Sequence, residues 1–226
     1  MTDISVIESL LESSGLVVLG VLDGVDPGDT APQIVLVGNA GSSVWSAFAN
    51  SQEYNDGQPH PLDRWSRRIG SSVAAELSAV AVFPFDGPPY PPVLDWAGRT
   101  GQAFPSPVSM FIHKKYGLWH AYRFALLLHA PLANFPPVLH DSNPCLSCVS
   151  RPCLSACPVG AFSENMYRVD DCVAYLARDK HSECRQLGCN ARRACPMATE
   201  FHYRGEQARF HMDAFLASLR PSESSF

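Results

Sequence analysis

Cysteine is missing from the first 144 residues of this chain; all eight lie between Cys145 and Cys195. The larger N-terminal part therefore runs without thiol chemistry, and sulfur ligands are confined to one module. Other absences narrow the class further. No run of about 18 apolar residues occurs, which gives the expectation of no membrane span. The N-terminus, MTDISVIESLLESSG, lacks a basic region followed by an apolar one, so no secretory signal is read there. The expected location is cytoplasmic, where thiols stay reduced. No dense basic block is present and the net charge is −5, against the basic stripe of a nucleic-acid binder. Neither a G-x-S-x-G elbow nor an H-E-x-x-H motif occurs, so nothing points to a serine hydrolase or a zincin.

The cysteines themselves are ordered. Cys145-x2-Cys148-x4-Cys153-x3-Cys157-Pro158 is followed by Cys172, Cys184, Cys189 and Cys195-Pro196. Two sets, each closed by Cys-Pro, read as a two-cluster ferredoxin pattern, in which the cysteine before proline ligates the other cluster. That crossing gives one 4Fe-4S cluster on Cys145, Cys148, Cys153 and Cys195, and a second on Cys157, Cys172, Cys184 and Cys189. Proline fixes its own φ and offers no N–H, which turns the chain away from the site. The spacings are stretched relative to C-x2-C-x2-C-x3-C-P, at Cys148 to Cys153 and again after Cys184. Zinc and disulfides are the alternatives. Zinc favours paired C-x2-C knuckles, and only Cys145 and Cys148 form one; disulfides need an oxidising compartment.

At 226 residues and 46% hydrophobic, the chain suits one ordinary domain plus a small one. A boundary is expected at 140/141, near Pro131, Pro136 and Pro137. Periodicity predicts a helix over 4–11 capped by Asp3, and strands over 16–22 and 33–37. Gly38-Asn39-Ala40-Gly41 then reads as a plain turn into a helix at 43–50. A long helix is expected over 61–77, with Trp65, Ile69, Val73 and Leu77 on one face. A strand follows at 79–85 and a short helix at 93–101. The segments 109–112 and 119–128 read as a β-hairpin joined at 114–117. A final helix over 207–219 presents Phe210, Ala214, Phe215 and Leu219.

Several strings resemble a known family. DWAGRTGQAFPSPVSMFIHKKYGLWHAYRFALLLHAPL, from Asp95 onward, resembles the core of bacterial epoxyqueuosine reductases. Cys157-Pro158-Val159-Gly160-Ala161 resembles their C-P-T-G-A, and the stretch from Val169 to Leu176 their V-D-A-R-R-C-I-S-Y-L. The segment Ile112 to Arg123 is similar to the I-H-P-R-F-G-G-W-F-A-I-R of cblC-type cobalamin-processing proteins. The resemblance, over residues 60 to 200, implies an α+β chain. A nitroreductase-like cofactor domain would occupy residues 1–140, and a ferredoxin-like iron–sulfur module with a C-terminal helix residues 141–226. It implies a corrinoid (cobalamin), with flavin as the alternative, near His113, Tyr116, Gly117 and Trp119. Those reductases are longer and carry a helical-repeat region that helps hold tRNA. No such region is read here, and with the negative charge this gives the expectation of no nucleic acid.

The function expected is therefore an iron–sulfur oxidoreductase that passes electrons through two 4Fe-4S clusters to a cofactor, a corrinoid, on the N-terminal domain. Its partners would be a redox protein or reductase and a small-molecule or corrinoid ligand. The competing expectation is a non-catalytic ferredoxin-like carrier whose N-terminal domain docks a partner. No catalytic side chain is assigned.

Overall fold

The computed structural model describes residues 2–24, 33–133, 142–163 and 166–219. Mixed helix and sheet are built around one four-stranded antiparallel sheet. Its first element is helix α1 (Ile4–Leu11), capped by Asp3, whose side chain accepts the Ser5 N–H at 3.0 Å. The chain leaves α1 through Gly15, at φ +71°, where a side chain would strain the backbone. Strands β1 (Val17–Asp23) and β2 (Gln33–Ala40) follow. Then come α2 (Trp45–Ala49), α3 (Gln52–Asn55), α4 (Pro61–Glu76) and the short strand β3 (Val80–Val82). Beyond it lie α5 (Val93–Arg99), β4 (Ala103–Pro105), β5 (Phe111–His113) and β6 (His120–Leu128).

The sheet order is β1-β2-β6-β3. Every residue of β2 is buried, because helices cover both faces of its sheet. Val35, Val37, Phe124 and Leu126 face α1, α2 and α4, meeting Ile7, Leu11, Phe48 and Trp65. Ile34, Leu36 and Ala125 face the other way, onto Val93, Trp96 and Ala97 of α5. This period-2 division explains why β2 reads as an unbroken apolar run.

Three expectations need correction. Segments 111–113 and 120–128 do not form a hairpin: β5 pairs with β4, and β6 lies between β2 and β3. The turn between β5 and β6 closes only at His113 and Gly117. Strand β6 pairs with β2 along its length on one side and with β3 on the other, so neither edge is left for β5. Second, Gly38 and Asn39 are not a turn but continue β2 to Ala40 past a register shift. A Cβ on Gly38 would lie 2.0 Å from the Ala121 carbonyl oxygen, so the glycine serves strand contact. Third, the last helix buries Gln207, Ala208 and Leu216, while Ala214 and Leu219 are exposed.

The cysteine-bearing part contains α6 (Pro152–Ser155), β7 (Phe162–Ser163), β8 (Met166–Tyr167), α7 (Val169–Arg178), α8 (Glu183–Leu187), α9 (Asn190–Arg193) and α10 (Gly205–Leu219). Most of the expected linker lies outside the described residues. The two parts share apolar packing, since Val108, Ile112 and Leu118 pack with Cys153, Phe162, Ala191 and Cys195. Helix α10 spans both. Phe210 packs against the rings of Trp45, Phe48 and Tyr54 at 5.4–6.0 Å, and Leu216 joins Leu176 and Cys184. Among the described residues no helix is long and apolar enough to cross a membrane.

Candidate thiol centre and adjoining cavities

Short helices and tight turns, rather than long elements, present the thiols. Asn143 accepts the Cys145 N–H at 2.9 Å and so caps the turn carrying the first cysteine. Pro152 opens α6, placing Cys153 within its single turn. Helix α9 lies between Cys189 and Cys195, so one short element carries a thiol at each end.

The eight side chains, all free thiols, sort into two groups. Cys145 feels Cys195, Cys153 and Cys148, while Cys153 and Cys195 both feel Cys148. In the other group Cys184 feels Cys157 and Cys172, and Cys189 feels Cys184 and Cys172. Burial, then the neighbouring thiols, pushes Cys145 and Cys189 up to about 11. Cys153, Cys172, Cys184 and Cys195 are raised by burial as well. Four crowded thiolates repel one another, so each set needs a cationic centre to ionise.

Donors surround the sulfurs. The Ala161 N–H reaches Cys157 Sγ at 3.3 Å. Backbone N–H groups of Asn190, of Arg192 and Ala191, and of Met197 point at Cys184, Cys189 and Cys195. The Tyr167 hydroxyl donates to Cys172. Hydrogen bonds to ligating sulfur tune a cluster's potential, so donor set and surroundings fit iron–sulfur chemistry. Among the described residues no three His, Cys, Asp or Glu side chains already converge on a single metal-ion position.

Two cavities lie on this side of the molecule, and only the smaller is walled by thiols of the second set. The smaller, about 260 Å³, is walled by Cys172 and Cys189 on one side and by Trp119, Arg192, Tyr203 and His211 on another. The larger, about 680 Å³, is lined mainly by apolar groups such as Val93, Met110, Phe111 and Leu118, with His120, Tyr122 and Ser106 as polar members. Ser109 and Met110 belong to both walls. In the larger cavity the Ser106 Oγ and Tyr122 hydroxyl are buried without a partner. His120 Nδ1 lies 3.1 Å from the Gly117 carbonyl and donates to it, leaving Nε2 as the acceptor. Burial, with His113 beside it, lowers His120 to about 3, so it is neutral at neutral pH.

The four residues expected at a cofactor fall in different places. His113 donates from Nε2 to the Leu19 carbonyl at 3.0 Å, and its Nδ1 accepts from Lys115 N at 3.1 Å. Both ring nitrogens are thus occupied within the protein. The Tyr116 ring packs against His113 and edge-on to Phe201, and lines a separate groove with Glu8 and Glu12. Gly117, at φ +56°, lets the module approach: a Cβ there would lie 2.7 Å from the Met197 carbonyl oxygen. Trp119 alone of the four borders the thiol-walled cavity. Leu118 and His120, its neighbours in sequence, border the larger one.

Sequence reasoning missed Tyr203 and Arg192 as site residues. Arg192 had the readable signal of standing between Cys189 and Cys195. It folds back to donate from Nε and Nη2 to the Leu118 carbonyl at 2.9 and 2.5 Å. Its guanidinium lies 4.5 Å from the Trp119 ring centre and 4.4 Å from that of Tyr203. Burial pushes the Tyr203 phenol up, but Arg192, Asn39 and Arg123 outweigh it and leave it below its ordinary value.

No protein-family model matches the chain, and no curated protein does. Six chains among solved structures do match. One is an epoxyqueuosine reductase with an epoxyqueuosine-modified tRNA-Tyr stem loop, at 20% identity and a TM-score of 0.42, covering 90% of this chain and 63% of that one. A selenomethionine-labelled epoxyqueuosine reductase gives 17%, 0.42, 91% and 68%. The enzyme from Bacillus subtilis, with its catalytic aspartate loop swung out of the active site, gives 17%, 0.45, 90% and 63%. The chain thus spans about two thirds of the length of these structures. Likeness at this level establishes neither a shared activity nor a shared ligand.

Proposed function

We propose that this chain is an iron–sulfur oxidoreductase that delivers electrons to an acceptor held in the adjoining cavities. One observation carries the reading: the eight thiols sort into two four-sulfur sets, and the second set walls a cavity. Cys145, Cys148, Cys153 and Cys195 would hold one 4Fe-4S cluster, and Cys157, Cys172, Cys184 and Cys189 the other. Such clusters supply one-electron transfer at potentials set by net charge, hydrogen bonds to sulfur and exposure.

The finer reading places a corrinoid in the larger cavity. Its volume, about 680 Å³, and its mostly apolar lining suit a sizeable ligand with few polar anchors. Neutral His120 offers such a ligand an acceptor nitrogen. Gly117 and Trp119 act at one remove, by docking the cysteine module against this wall. A bound corrinoid would supply the difficult bond chemistry, while these residues orient it and limit water.

A specific observation favours a second reading, an electron carrier without a cofactor of its own. Leu146 and Val149, beside Cys145 and Cys148, are 77% and 99% exposed, as on a surface that docks a redox protein. Titration of anaerobic, iron-replete protein with cob(II)alamin separates the two. A saturable base-on to base-off change in the cobalt resonance supports the corrinoid. Intact, reducible clusters with no cobalt change would leave the carrier.

A further inference from the structure

Arg123 is the extra residue of a β-bulge. Val37 of β2 pairs with Phe124 and Gly38 with Tyr122, so Arg123 between them has no partner on β2. A bulge re-aims a side chain, and it does so here. Phe124 packs toward α4 and Tyr122 lines the larger cavity. Arg123 shares the side of Phe124 and lines a third cavity, between the start of α4 and α10. Fully buried Asn39 fixes it: Asn39 Oδ1 accepts from Arg123 Nε at 3.2 Å, while Asn39 Nδ2 donates to the Gly41 carbonyl and the Tyr203 hydroxyl. Arg123 Nη1 and Nη2 then have no acceptor among the described residues. Neither nitrogen is sealed, since Arg123 is partly exposed and borders the cavity.

This cavity measures about 700 Å³, within the range of small-ligand sites. Its apolar wall is formed by Pro59, Pro61 and Leu62 at the start of α4 and by Phe210, Ala214 and Ala217 of α10. Among its polar members, Asp213 is already bound by Arg185 at 2.6 Å. His211, brought down to about 3 by burial and then by Arg123 and Arg192, adds no charge at neutral pH. His60 and Ser218 are exposed. Asp63, in the first turn of α4, has no partner among the described residues. Burial pulls the Arg123 guanidinium below its ordinary value, and the Tyr203 and Asp63 charges oppose that, yet no ion pair joins Asp63 to Arg123. One cation and one carboxylate, each unpartnered, thus border the same apolar cavity. A charge taken out of bulk water needs an opposite charge close by, and here each lacks one.

We infer that this cavity binds a small zwitterion, an α-amino acid with a large apolar side chain. Its carboxylate takes the Nη1–Nη2 edge of Arg123, which offers two parallel N–H groups, and its ammonium meets Asp63. The side chain lies against Leu62, Phe210 and Ala214. The cavity is roomier than one side chain, so the two charges rather than shape select the ligand. No cysteine lines this cavity, and the claim is independent of the iron–sulfur reading.

The test is calorimetric titration of the full chain, purified without air, with three probes that share one ring. L-phenylalanine carries both charges, 3-phenylpropionate lacks the ammonium, and 2-phenylethylamine lacks the carboxylate. Phenylalanine is expected to bind one to one, and each analogue at least about tenfold more weakly. D63N should weaken phenylalanine about tenfold and leave 3-phenylpropionate unchanged. R123Q should weaken phenylalanine by a similar factor and leave 2-phenylethylamine unchanged. Thermal melting identifies a variant that fails to fold, and the comparison of the three probes stands without variants. The inference is overturned if phenylalanine does not bind at millimolar concentration, if either analogue binds as tightly, or if folded D63N binds phenylalanine like the wild type.

Discussion

Replacing Gly117 with alanine tests how the cysteine module is seated. Gly117 sits at φ +56°, and a non-glycine residue in that left-handed region costs about 1–2 kcal/mol. The new Cβ would also lie 2.7 Å from the Met197 carbonyl oxygen and 3.1 Å from the Ala198 Cβ. The first contact is with backbone, so the chain itself must shift. Overpacking of that kind adds about 1–3 kcal/mol. Gly57 supplies the control: it has φ +69°, and nothing lies within 4 Å of a Cβ built there. G57A should therefore show the conformational cost alone, and G117A should be less stable than G57A by about 2 kcal/mol. For a chain of this size that is about 4–8 °C in melting temperature. Anaerobic thermal melts of the two variants and the wild type read it directly. Because the Met197 N–H points at Cys195, G117A should also lose iron more readily than G57A. Equal melting temperatures for the two variants would refute the seating argument.

Three further outcomes are expected. C195S should alter the same paramagnetic signal as C145S, and C157S the same one as C189S; pairing of C157S with C145S would refute the crossed assignment. Arg68, hydrogen-bonded at 2.5 Å, holds Glu53 below its ordinary carboxyl value of 4.5. The stability this confers is present above about pH 4.5 and is lost as pH falls through the lower folded value. E53Q should melt below the wild type at neutral pH, by about 0.5–1 kcal/mol, and the gap should close toward about pH 3; a constant gap would contradict it. F210A removes a half-buried ring from the cluster of Trp45, Phe48 and Tyr54 and should cost about 2 kcal/mol, read by urea unfolding.

Much of the architecture was legible because its signals are local. Asp3 and Gly15 bracket α1, and the four-residue recurrence from Trp65 marks α4. The cysteine order leads to the expectation of two crossed four-thiol groups, because ligand crossing is written in spacing and in the Cys-Pro closures. What could not be read depends on contacts distant in sequence. Gly38 looked like turn chemistry, yet it is glycine because Ala121, 83 residues on, passes too close for a Cβ. Strand β5 looked like the mate of β6 through a tight turn, but both edges of β6 are taken, by β2 and β3. The apolar stripe of α10 was misread because the helix packs on two bodies at once, so no single face is buried. Trp119 was expected beside a cofactor, while Arg192 and Tyr203, which pack against its ring, were not. Their positions are set by a chain that returns from the thiol module to Leu118 and Asn39.

The most direct measurement is the iron, acid-labile sulfide and zinc content of protein purified without air. Two four-iron clusters predict about eight irons and eight sulfides per chain and no stoichiometric zinc. Zinc bound in stoichiometric amount, with no sulfide, would contradict the account.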